Sequence, residues 1–213
     1  MDSPIKSGLF RLRIWGENAC FTRPEMKVER VSYDVMTPSA ARAVLEAILW
    51  KPAIRWVIDQ IDVLKPIRWE SIRRNELGTV MSPRTQGIFI EDHRQQRASL
   101  VLRDIAYTVH AHFEMTEKAG PNDSVVKFQE MFLRRAEKGQ CFNTPYLGCR
   151  EFSAAFEIIP MGRELPKPIE EDRDLGWMLQ DLDFSFDPPQ PKFFRARMKE
   201  GRISVPSLAE GKP

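Results

Sequence analysis

The sequence predicts an α+β fold of the ferredoxin-like (RRM-like) type, with elements in the order βαββαβ. Three observations support this prediction. Four stretches show the apolar/polar alternation of strands, two show apolar residues at helical spacing, and these stretches follow one another in the order strand, helix, strand, strand, helix, strand. That order produces an antiparallel sheet with two helices on one face, so we expect the opposite face to be free.

The first strand is predicted in the stretch LFRLRIW. Its residues alternate between an apolar face and a face with arginines and a tryptophan: Phe10, Leu12 and Ile14 on one side, and Arg11, Arg13 and Trp15 on the other. The connection that follows, residues 16–35, has no clear periodicity and carries basic and aromatic residues in its middle. A connection of this length in a compact domain tends to be functional.

The first predicted helix has both ends marked in the sequence. Thr37 can cap its N-terminus with the side-chain hydroxyl, and Pro38 suits the first helical position, where an N–H would have no helical partner. Apolar residues then recur at helical spacing: Ala41, Val44, Leu45, Ile48 and Leu49. Pro52 is predicted to stop the helix, because proline cannot continue it.

The middle of the chain contains two predicted strands separated by a charged stretch. The strand that begins near Ile54 changes the phase of its apolar face near Gln60, which predicts a β-bulge. Residues 67–99 are charged and irregular, so we expect an exposed, mobile excursion there. The following strand, DIAYTVHAHFEM, alternates cleanly and places four polar residues on one face: Thr108, His110, His112 and Glu114.

The second predicted helix begins at Asp123 or Ser124 and ends at Gly139, a residue well suited to terminate a helix. Residues 152–159 then form the last strand of the βαββαβ order. The remainder is rich in proline and acidic residues and then basic, which we interpret as a small β-rich appendage with a hairpin over residues 177–205. The predicted parts are therefore a ferredoxin-like domain, residues 1–165, and a β-rich C-terminal part, residues 166–213.

The composition restricts the class of protein. The 213 residues include 32 basic and 30 acidic ones, so nucleic-acid binding would depend on local clusters of charge. The three cysteines have no metal-ligand spacing, which argues against a disulfide framework or a zinc site and favours reduced thiols in a cytoplasm. The first residues lack the apolar core of a signal peptide, and no apolar run is long enough for a membrane span. We expect a cytoplasmic protein with no membrane partner and no cofactor.

Two places in the sequence suggest chemistry. His110, His112 and Glu114 on one strand face can hold a metal ion, act as general acid or base near neutral pH, or be ordinary polar surface residues. Lys127 lies in the first turn of the second helix, where free backbone N–H groups attract anions such as phosphate. A solvated lysine is the alternative interpretation of that residue.

Basic and aromatic residues are interleaved in three stretches: residues 11–15, 23–33 and 193–199. Stacking on aromatic side chains together with phosphate contacts is the usual way in which proteins hold single-stranded RNA. Arg134 and Arg135 on the second helix either extend such a basic surface or are simply solvated. Glycine-rich phosphate loops, nucleophile elbows and zinc-protease motifs are absent from the sequence. From the residues alone, the prediction is a nucleic-acid-binding domain.

Four stretches resemble one protein family: WGENACFTRPEMKVERVSYDVMTPSAARAVLEAILWKP, VLKPIRW, HAHFE and PYLGCREF. Over roughly residues 8–200 the chain is similar to the CRISPR-associated RAMP-superfamily proteins of the "Cas five" group, subtype I-C (Dvulg). The resemblance implies a ferredoxin-like RAMP domain followed by a smaller β-rich part, in agreement with the order of elements derived above.

The resemblance also implies an activity. Members of this group cut CRISPR precursor RNA within each repeat, stay on the 5′ handle of the product, and nucleate the surveillance complex with its backbone and large subunits. Their cleavage needs no metal: the 2′-OH beside the scissile phosphate attacks in line and leaves a 2′,3′-cyclic phosphate. Such a site requires a base, an acid and a cation that stabilises the phosphorane.

Some members of the family have a tyrosine just before the Trp-Lys-Pro that ends the first helix, and a Lys-His pair at the start of the second. Here the first position is Leu49 and the pair reads Lys127-Phe128, so only Lys127 matches. The resemblance therefore assigns Lys127 to the charge of the transition state. The proton-transfer candidates, chosen for their chemistry and their segments, are Tyr33, His110 and His112.

The expected RNA contacts are basic residues of the first strand, the loop after it and the second helix: Arg11, Arg13, Arg23, Lys27, Arg30, Arg134 and Arg135. Two other functions remain open at this point. As alternatives to the endoribonuclease, the protein is a structural RNA-binding subunit that no longer cleaves, or it binds or cuts duplex DNA non-specifically. In the second case His110, His112 and Glu114 would hold a metal ion.

Overall fold

The structure of the protein is a computed structural model that describes residues 5–26, 28–84 and 87–212. Within these ranges the chain forms ten strands, three α-helices and one 3-10 helix. The strands are β1 (Phe10–Ala19), β2 (Ile54–Val63), β3 (Trp69–Leu77), β4 (Arg94–Met115), β5 (Tyr146–Leu147), β6 (Cys149–Ser153), β7 (Ala155–Ile158), β8 (Arg173–Asp183), β9 (Gln190–Lys199) and β10 (Arg202–Ser204). The helices are α1 (Pro38–Ile48), α2 (Ile90–His93), α3 (Val125–Glu137) and the 3-10 turn Leu208–Glu210.

Most strands belong to one antiparallel sheet. Its eight strands run in the order β7-β1-β4-β2-β10-β9-β8, with β3 paired to β4 outside this path, while β5 and β6 form a separate two-stranded sheet. The apolar residues of α1 and α3 join those of the sheet in a single core cluster. The fold is therefore a mixed α/β arrangement dominated by an antiparallel sheet.

The helix α1 forms where the sequence predicts it. The Thr37 hydroxyl accepts the backbone N–H of Ala40 at 3.3 Å, and Pro38 occupies the first helical position. Four apolar residues of the helix are buried in the core: Ala41, Val44, Leu45 and Ile48. The last helical residue is Ile48 and Leu49 is the C-cap, so the helix stops before Pro52 is reached.

Aromatic residues fix α3 on the sheet. Phe132 of the helix lies with its ring centroid 4.9 Å from that of Phe10 on β1 and 4.7 Å from that of Trp56 on β2. Phe128 packs edge-on against Phe113 of β4, with the centroids 6.4 Å apart. Since side chains alternate between the faces of a strand, the neighbours of these residues on β1 and β4 point to the face opposite the helices.

The segment predicted as an exposed, mobile excursion, residues 67–99, has largely exposed side chains where it is described, but it contains regular structure that the sequence did not indicate. The two ends of this segment pair as the strands of a β-hairpin, in which β3 pairs with the first part of β4 from Trp69↔Leu102 to Leu77↔Arg94. The side chains of β3 are all exposed or half-buried, so charged residues fit both faces of the hairpin and no apolar alternation reveals it. By contrast, the bulge predicted near Gln60 is confirmed, since the pairing of β2 with β4 shifts between Ile58 and Gln60.

The last part of the chain continues the main sheet. The single strand predicted for residues 152–159 is divided at Ala154 into β6 and β7, and β7 pairs with β1 at one edge of the sheet. The predicted C-terminal hairpin is present as β8 and β9, and it begins at Arg173, somewhat earlier than expected. Through β10, which pairs with both β9 and β2, this hairpin is joined to the central strands. Among the described residues, no helix is long and apolar enough to cross a membrane.

Candidate functional site

Lys127 lies in the first turn of α3, at an end of the helix that is accessible to solvent. Ser124 caps this helix, because its hydroxyl oxygen accepts the backbone N–H of Lys127 at 3.3 Å. The Lys127 ammonium turns back towards the helix start, with Nζ 3.0 Å from Asp123 Oδ1 and 3.3 Å from the Asn122 carbonyl oxygen. Its side chain is 45% exposed. A phosphate that displaces Asp123 can therefore reach this cation.

Apolar core residues occupy the two positions at which some family members have a tyrosine and a histidine. Leu49 is fully buried and Phe128 is 2% exposed, and both belong to the apolar core. These side chains can neither donate nor accept a proton. A proton-transfer group must therefore come from another part of the chain.

His110 and His112 lie on the face of β4 opposite the helices, because Val109, Ala111 and Phe113 alternate with them and pack in the core. Each histidine contacts a carboxylate of the neighbouring strand β2. Asp62 Oδ2 is 2.9 Å from His110 Nε2. For His112, the contact joins Nδ1 to Asp59 Oδ2 over 2.8 Å.

This face of the sheet is less open than the sequence suggested. His110 and Asp62 are 9% and 2% exposed, so their hydrogen bond is largely shielded from water. The other ring nitrogen of His112, Nε2, is buried and has no hydrogen-bond partner among the described residues, with Glu114 Oε1 3.8 Å away. A buried ring nitrogen without a partner is an unusual feature that invites a functional explanation.

Glu114 is held by two cations. Its carboxylate oxygens lie 2.6 Å from Arg55 Nη2 and 3.2 Å from Lys6 Nζ. Burial alone would raise the pKa of Glu114, but the hydrogen bonds from these two cations outweigh it and hold the pKa below its ordinary value. In the part of the chain that the structure describes, no three His, Cys, Asp or Glu side chains are arranged to hold a metal ion. The arrangement gives no support to a metal site at His110, His112 and Glu114.

Arg11 and Arg13 extend from β1 beside the histidine face. The strand register pairs Arg11 with His110 and Arg13 with Thr108. The Nε atoms of both arginines and the Thr108 hydroxyl are buried without a hydrogen-bond partner in the described residues. The Arg13 guanidinium also lies 5.1 Å from the ring centroid of Trp15. Buried polar atoms without a partner are uncommon in folded proteins, and here they lie on the same face of the sheet as the two histidines.

Tyr33 is part of the core. It is 2% exposed, and its hydroxyl accepts the backbone N–H of Leu179 at 3.3 Å. Burial raises the pKa of this phenol, which makes the loss of its proton harder. The guanidinium of Arg23 covers the ring at 4.6 Å from its centroid. These contacts explain Tyr33 as a packing residue that closes the loop before α1.

The basic residues of the same loop have partners within the protein. Arg23 Nη2 is 3.0 Å from Asp34 Oδ2. Arg30 Nη1 is 3.6 Å from the sulfur of Cys149, and a hydrogen bond with Cys20, aided by the Arg30 charge, lowers the pKa of the Cys149 thiol to about 6. Lys27 lies outside the described residues.

The two arginines of α3 differ from each other. Arg134 is exposed, and its side chain makes no hydrogen bond or ion pair with the described residues. Arg135 is half-buried and donates from Nη1 to the backbone oxygen of Ile48, the last residue of α1, over 2.9 Å. That bond satisfies a carbonyl at a helix C-terminus, where cations are favoured.

The structure divides the predicted site residues into separate groups. Arg11, Arg13, His110 and His112 lie together on the helix-free face of β1 and β4. Lys127 belongs to α3, whose aromatic residues pack on the other face, so the sheet stands between Lys127 and the two histidines. The sequence could not predict this separation, because spacing along the chain does not show on which side of a sheet a helix packs.

A feature that the sequence did not predict is a cavity of about 470 Å³ between the end of α1 and the segment that follows α3. We call it the aromatic pocket. Three of its residues are aromatic and exposed, and two are cations; these five are Trp50, Phe142, Tyr146, Lys51 and Arg135. The remaining lining residues are Ala43, Glu46, Ala47, Asn143, Thr144 and Pro145. The only sequence signal for it is the presence of aromatic residues in polar connections, which does not show that they meet.

A larger and more open cavity of about 850 Å³ lies at the end of β1. It includes Trp15 and charged residues of both signs, three acidic and three basic: Glu17, Glu70 and Asp104, and Lys65, Arg68 and Arg103. Asp104 is paired with Lys65 and Arg68. Because the opposite charges compensate each other, this cavity is less suited to a polyanion than the aromatic pocket.

Comparisons with known proteins agree with the family resemblance. A family model described as CRISPR-associated protein (Cas_Cas5) matches residues 9–206. A relative from Mannheimia succiniciproducens, named CRISPR pre-crRNA endoribonuclease Cas5d, is 57% identical over 92% of this chain and 94% of its own length. A relative of the same name from Thermus thermophilus is 45% identical over 92% of this chain and 91% of its own length.

Solved structures have the same fold. The crystal structure of a CRISPR-associated protein matches with a TM-score of 0.77 at 22% identity, over 100% of this chain and 98% of the other. A functionally uncharacterized protein from Streptococcus mutans matches with a TM-score of 0.74 at 23% identity, over 99% of this chain and 98% of the other. At such identities the likeness concerns the fold alone. The match to the family model and the two relatives do establish the family: this chain is a member of the CRISPR-associated Cas5 family, subtype I-C.

Proposed function

We propose that this protein is an endoribonuclease that cuts CRISPR precursor RNA within each repeat and then keeps the 5′ handle of the product. The observation that carries the proposal is its similarity, over nearly the whole chain, to two relatives named CRISPR pre-crRNA endoribonuclease. In this proposal the protein works as a subunit of the subtype I-C surveillance complex, beside the backbone and large subunits. The cysteines at positions 20, 141 and 149 are free thiols, which supports a reducing cytoplasm as its compartment.

The proposed reaction needs no metal ion. The 2′-oxygen attacks the adjacent phosphorus after a base removes its proton, and the bond from phosphorus to the 5′-oxygen breaks as an acid protonates that oxygen. The products are a 2′,3′-cyclic phosphate and a 5′-OH. Lys127 stabilises the extra negative charge of the phosphorane, because its ammonium is accessible and the N-terminus of α3 adds the positive end of a helix dipole.

Proton transfer is assigned to the three candidates from the sequence, His112, His110 and Tyr33, in that order. His112 comes first because its Nδ1 is oriented by Asp59 while its Nε2 has no hydrogen-bond partner among the described residues. His110 is more deeply buried against Asp62, and Tyr33 lies in the core. Because the sheet stands between Lys127 and the histidines, one scissile phosphate cannot contact both, so the loss of cleavage in Lys127→Ala or in His112→Asn decides on which face of the sheet the reaction takes place.

RNA binding is assigned to the basic residues of β1, the loop before α1, and α3: Arg11, Arg13, Arg23, Lys27, Arg30, Arg134 and Arg135. The side chain of Arg13, which is 41% exposed, and the exposed side chain of Arg134 support this assignment. Several phosphate contacts would make the affinity fall steeply as salt increases. A Kd that is independent of salt would contradict it.

We also propose that β7, β1, β4 and β2, with α1 and α3, form a ferredoxin-like RAMP domain within residues 1–165, and that residues 166–213 are its β-rich appendage. The order β7-β1-β4-β2, with one helix in the connection from β1 to β2 and the other in the connection from β4 to β7, supports this view.

The proposed function can be tested with the purified protein and its cognate repeat RNA in the presence of EDTA. We expect one cut per repeat, and we expect Lys127→Ala to slow it by about 100-fold to 1,000-fold, the usual loss when one transition-state contact is removed. Lys138→Ala is the control, because it removes an exposed lysine from the other end of the same helix. His112→Asn tests proton transfer: a catalytic histidine would reduce the rate about 100-fold or more and change its pH profile.

A second function, an RNA-binding subunit without nuclease activity, is favoured by one observation. The residues at the two expected proton-transfer positions, Leu49 and Phe128, are apolar and buried. RNA that is bound but stays intact, with EDTA and with divalent metal, would support this second function and contradict the nuclease. Cleavage of RNA or of duplex DNA that occurs only with added metal would contradict a metal-independent reaction.

A further inference from the structure

The aromatic pocket exposes large apolar side chains at one place on the surface. Phe142 is 85% exposed, Trp50 is 62% exposed, and Tyr146 is 38% exposed. Single exposed aromatic residues are common on proteins, but three that line one cavity are not explained by the fold. Their shared position points to a ligand with flat apolar surfaces.

The pocket lies between two segments that are distant in the sequence and are joined by a backbone hydrogen bond. Phe142 donates its backbone N–H to the carbonyl oxygen of Ala47 on α1, with nitrogen and oxygen 2.7 Å apart. Ala43 and Ala47 lie one helical turn apart on the side of α1 that lines the pocket. Because both side chains are small, they leave room above the helix for a planar group.

The charge of the pocket favours an anionic ligand. Lys51 and Arg135 line it, and Glu46 is the acidic residue of the lining. Glu46 is already engaged, since its Oε1 is 2.7 Å from Arg42 Nη1. Arg135 uses Nη1 for the Ile48 carbonyl, which leaves other guanidinium N–H groups to bind phosphate oxygens. Aromatic surfaces next to such cations are the combination that binds unpaired nucleotides.

The pocket is also close to the proposed catalytic lysine. Arg135 of the pocket and Lys127 belong to the same helix, eight residues or about 12 Å apart along its axis. Pro52, the residue after Lys51, accepts a hydrogen bond of 2.6 Å from the Thr116 hydroxyl, which holds the end of this segment beside the chain that leads into α3. A strand of RNA whose phosphate is at Lys127 can thus reach the pocket with a neighbouring nucleotide.

We infer that the aromatic pocket binds one unpaired nucleotide of the repeat RNA, with its base stacked on Trp50 and Phe142 and its phosphates contacted by Lys51 and Arg135. This inference rests on the proposed function, because it assumes that the ligand is the RNA that reaches Lys127. It adds a base-binding subsite that positions the RNA strand for cleavage and distinguishes an unpaired nucleotide from a paired one.

The test uses the full-length protein and repeat RNAs that each carry 2-aminopurine at one position, with a 2′-deoxy substitution at the mapped cut so that no cleavage occurs. We expect the fluorescence of 2-aminopurine at one unpaired position to be quenched on binding, because the base stacks on an aromatic side chain. Trp50→Leu and Phe142→Leu should each remove most of this quenching and raise Kd about 5-fold to 100-fold, the range for one base–aromatic stack. Both residues are exposed, so melting temperatures should remain close to that of the wild type.

Phe89→Leu is the matched control, because Phe89 is an aromatic residue with 74% exposure that does not line the pocket. It should leave both the quenching and Kd unchanged. The inference is overturned if no position is quenched and the Trp50 and Phe142 variants bind RNA as tightly as the wild type. It is also overturned if Phe89→Leu has the same effect as the pocket variants.

The two proposals can fail independently. Quenching that depends on Trp50, in a protein that leaves unmodified repeat RNA intact, would contradict the nuclease but support the pocket. Normal cleavage by the wild type, with no quenching and no change in Kd for Trp50→Leu, would support the nuclease and contradict the pocket.

Discussion

Lys127 and Asp123 form an ion pair across the first turn of α3, with Nζ and Oδ1 3.0 Å apart. The cation to which we assign the transition-state charge is therefore partly neutralised before RNA binds. An RNA phosphate must compete with this carboxylate for the ammonium. The pair also acts on Asp123: the hydrogen bond from Lys127 holds the pKa of its carboxyl below the ordinary value, so the carboxylate stays charged to a lower pH than an ordinary aspartate does.

The first prediction is that Asp123→Asn tightens RNA binding. The substitution removes the competing charge, while the amide oxygen of asparagine can still accept the backbone N–H of Gly120. We expect Kd to fall about 2-fold to 5-fold at low salt, in keeping with the strength of an exposed ion pair, and to fall less at high salt. Titration of fluorescent repeat RNA measures this change. In a Lys127→Ala background the gain should vanish; a gain of equal size there would show that Lys127 is not involved.

A second prediction concerns the buried contact between His110 and Asp62. Asp62 is 2% exposed in the wild type. His110→Ala removes the imidazole and with it one hydrogen bond of the Asp62 carboxylate. The bond that Gln60 Nε2 donates to the other carboxylate oxygen, at 2.6 Å, remains. We expect the free energy of unfolding to fall by about 2–3 kcal/mol. Urea denaturation measures it. In the double variant His110→Ala, Asp62→Asn, part of this loss should be recovered, since no charge is left buried; a purely additive result would contradict the explanation.

The third prediction is a pH dependence of stability that depends on Glu114. Burial opposes the effect, but the hydrogen bonds from Arg55 and Lys6 prevail and lower the pKa of Glu114 from its ordinary value of 4.5. Because the folded-state pKa is the lower one, the carboxylate stabilises the fold above about pH 4.5, and this contribution is lost as the pH falls through the folded-state pKa. The wild type should melt at a higher temperature than Glu114→Gln at pH 7, and the difference should shrink below pH 4.5. A difference that stays constant down to pH 3 would refute this assignment.

The fourth prediction compares two glycines with similar backbone angles. Gly148 and Gly162 have φ of +83° and +91°, so a side chain is strained at either position. A Cβ on Gly148 would lie 2.5 Å from the carbonyl carbon of Cys20, whereas a Cβ on Gly162 would meet nothing within 4 Å. Gly162→Ala should therefore cost about 1–2 kcal/mol of unfolding free energy, the strain alone, and Gly148→Ala about 4 kcal/mol or more. Equal losses in urea denaturation would show that the close approach to Cys20 does not matter.

The helices were predictable because their signals are local. Thr37 and Ser124 accept N–H groups of the first helical turn as their sequence positions suggested, and Gly139 has the positive φ of +63° expected of a helix terminator. The bulge at Gln60 was equally visible, since a change of phase in an alternating pattern needs no tertiary contact to be recognised. The family was also recognisable from short strings of residues, and the comparisons confirm it.

The hairpin of β3 and β4 escaped prediction because solvent surrounds it. Alternation arises when one face of a strand is buried, and Glu70, Arg73 and Asn75 are all exposed. Its stability comes from backbone pairing and from ion pairs such as Arg97–Glu76 and Arg74–Glu151. Such pairs join residues on different strands, so their partners become known only when the strands are aligned.

Local patterns along the chain were thus enough for the two main helices, most of the core strands, the family and the position of Lys127 in the first turn of α3. The three-dimensional packing determined the rest. Phe128 and Phe132 hold α3 against one face of the sheet, which puts Lys127 on that side and leaves His110 and His112 on the other. The same packing brings Trp50 next to Phe142, residues that are far apart in the sequence. Side-chain periodicity records which residues share a face of one element, whereas a binding site depends on which elements meet.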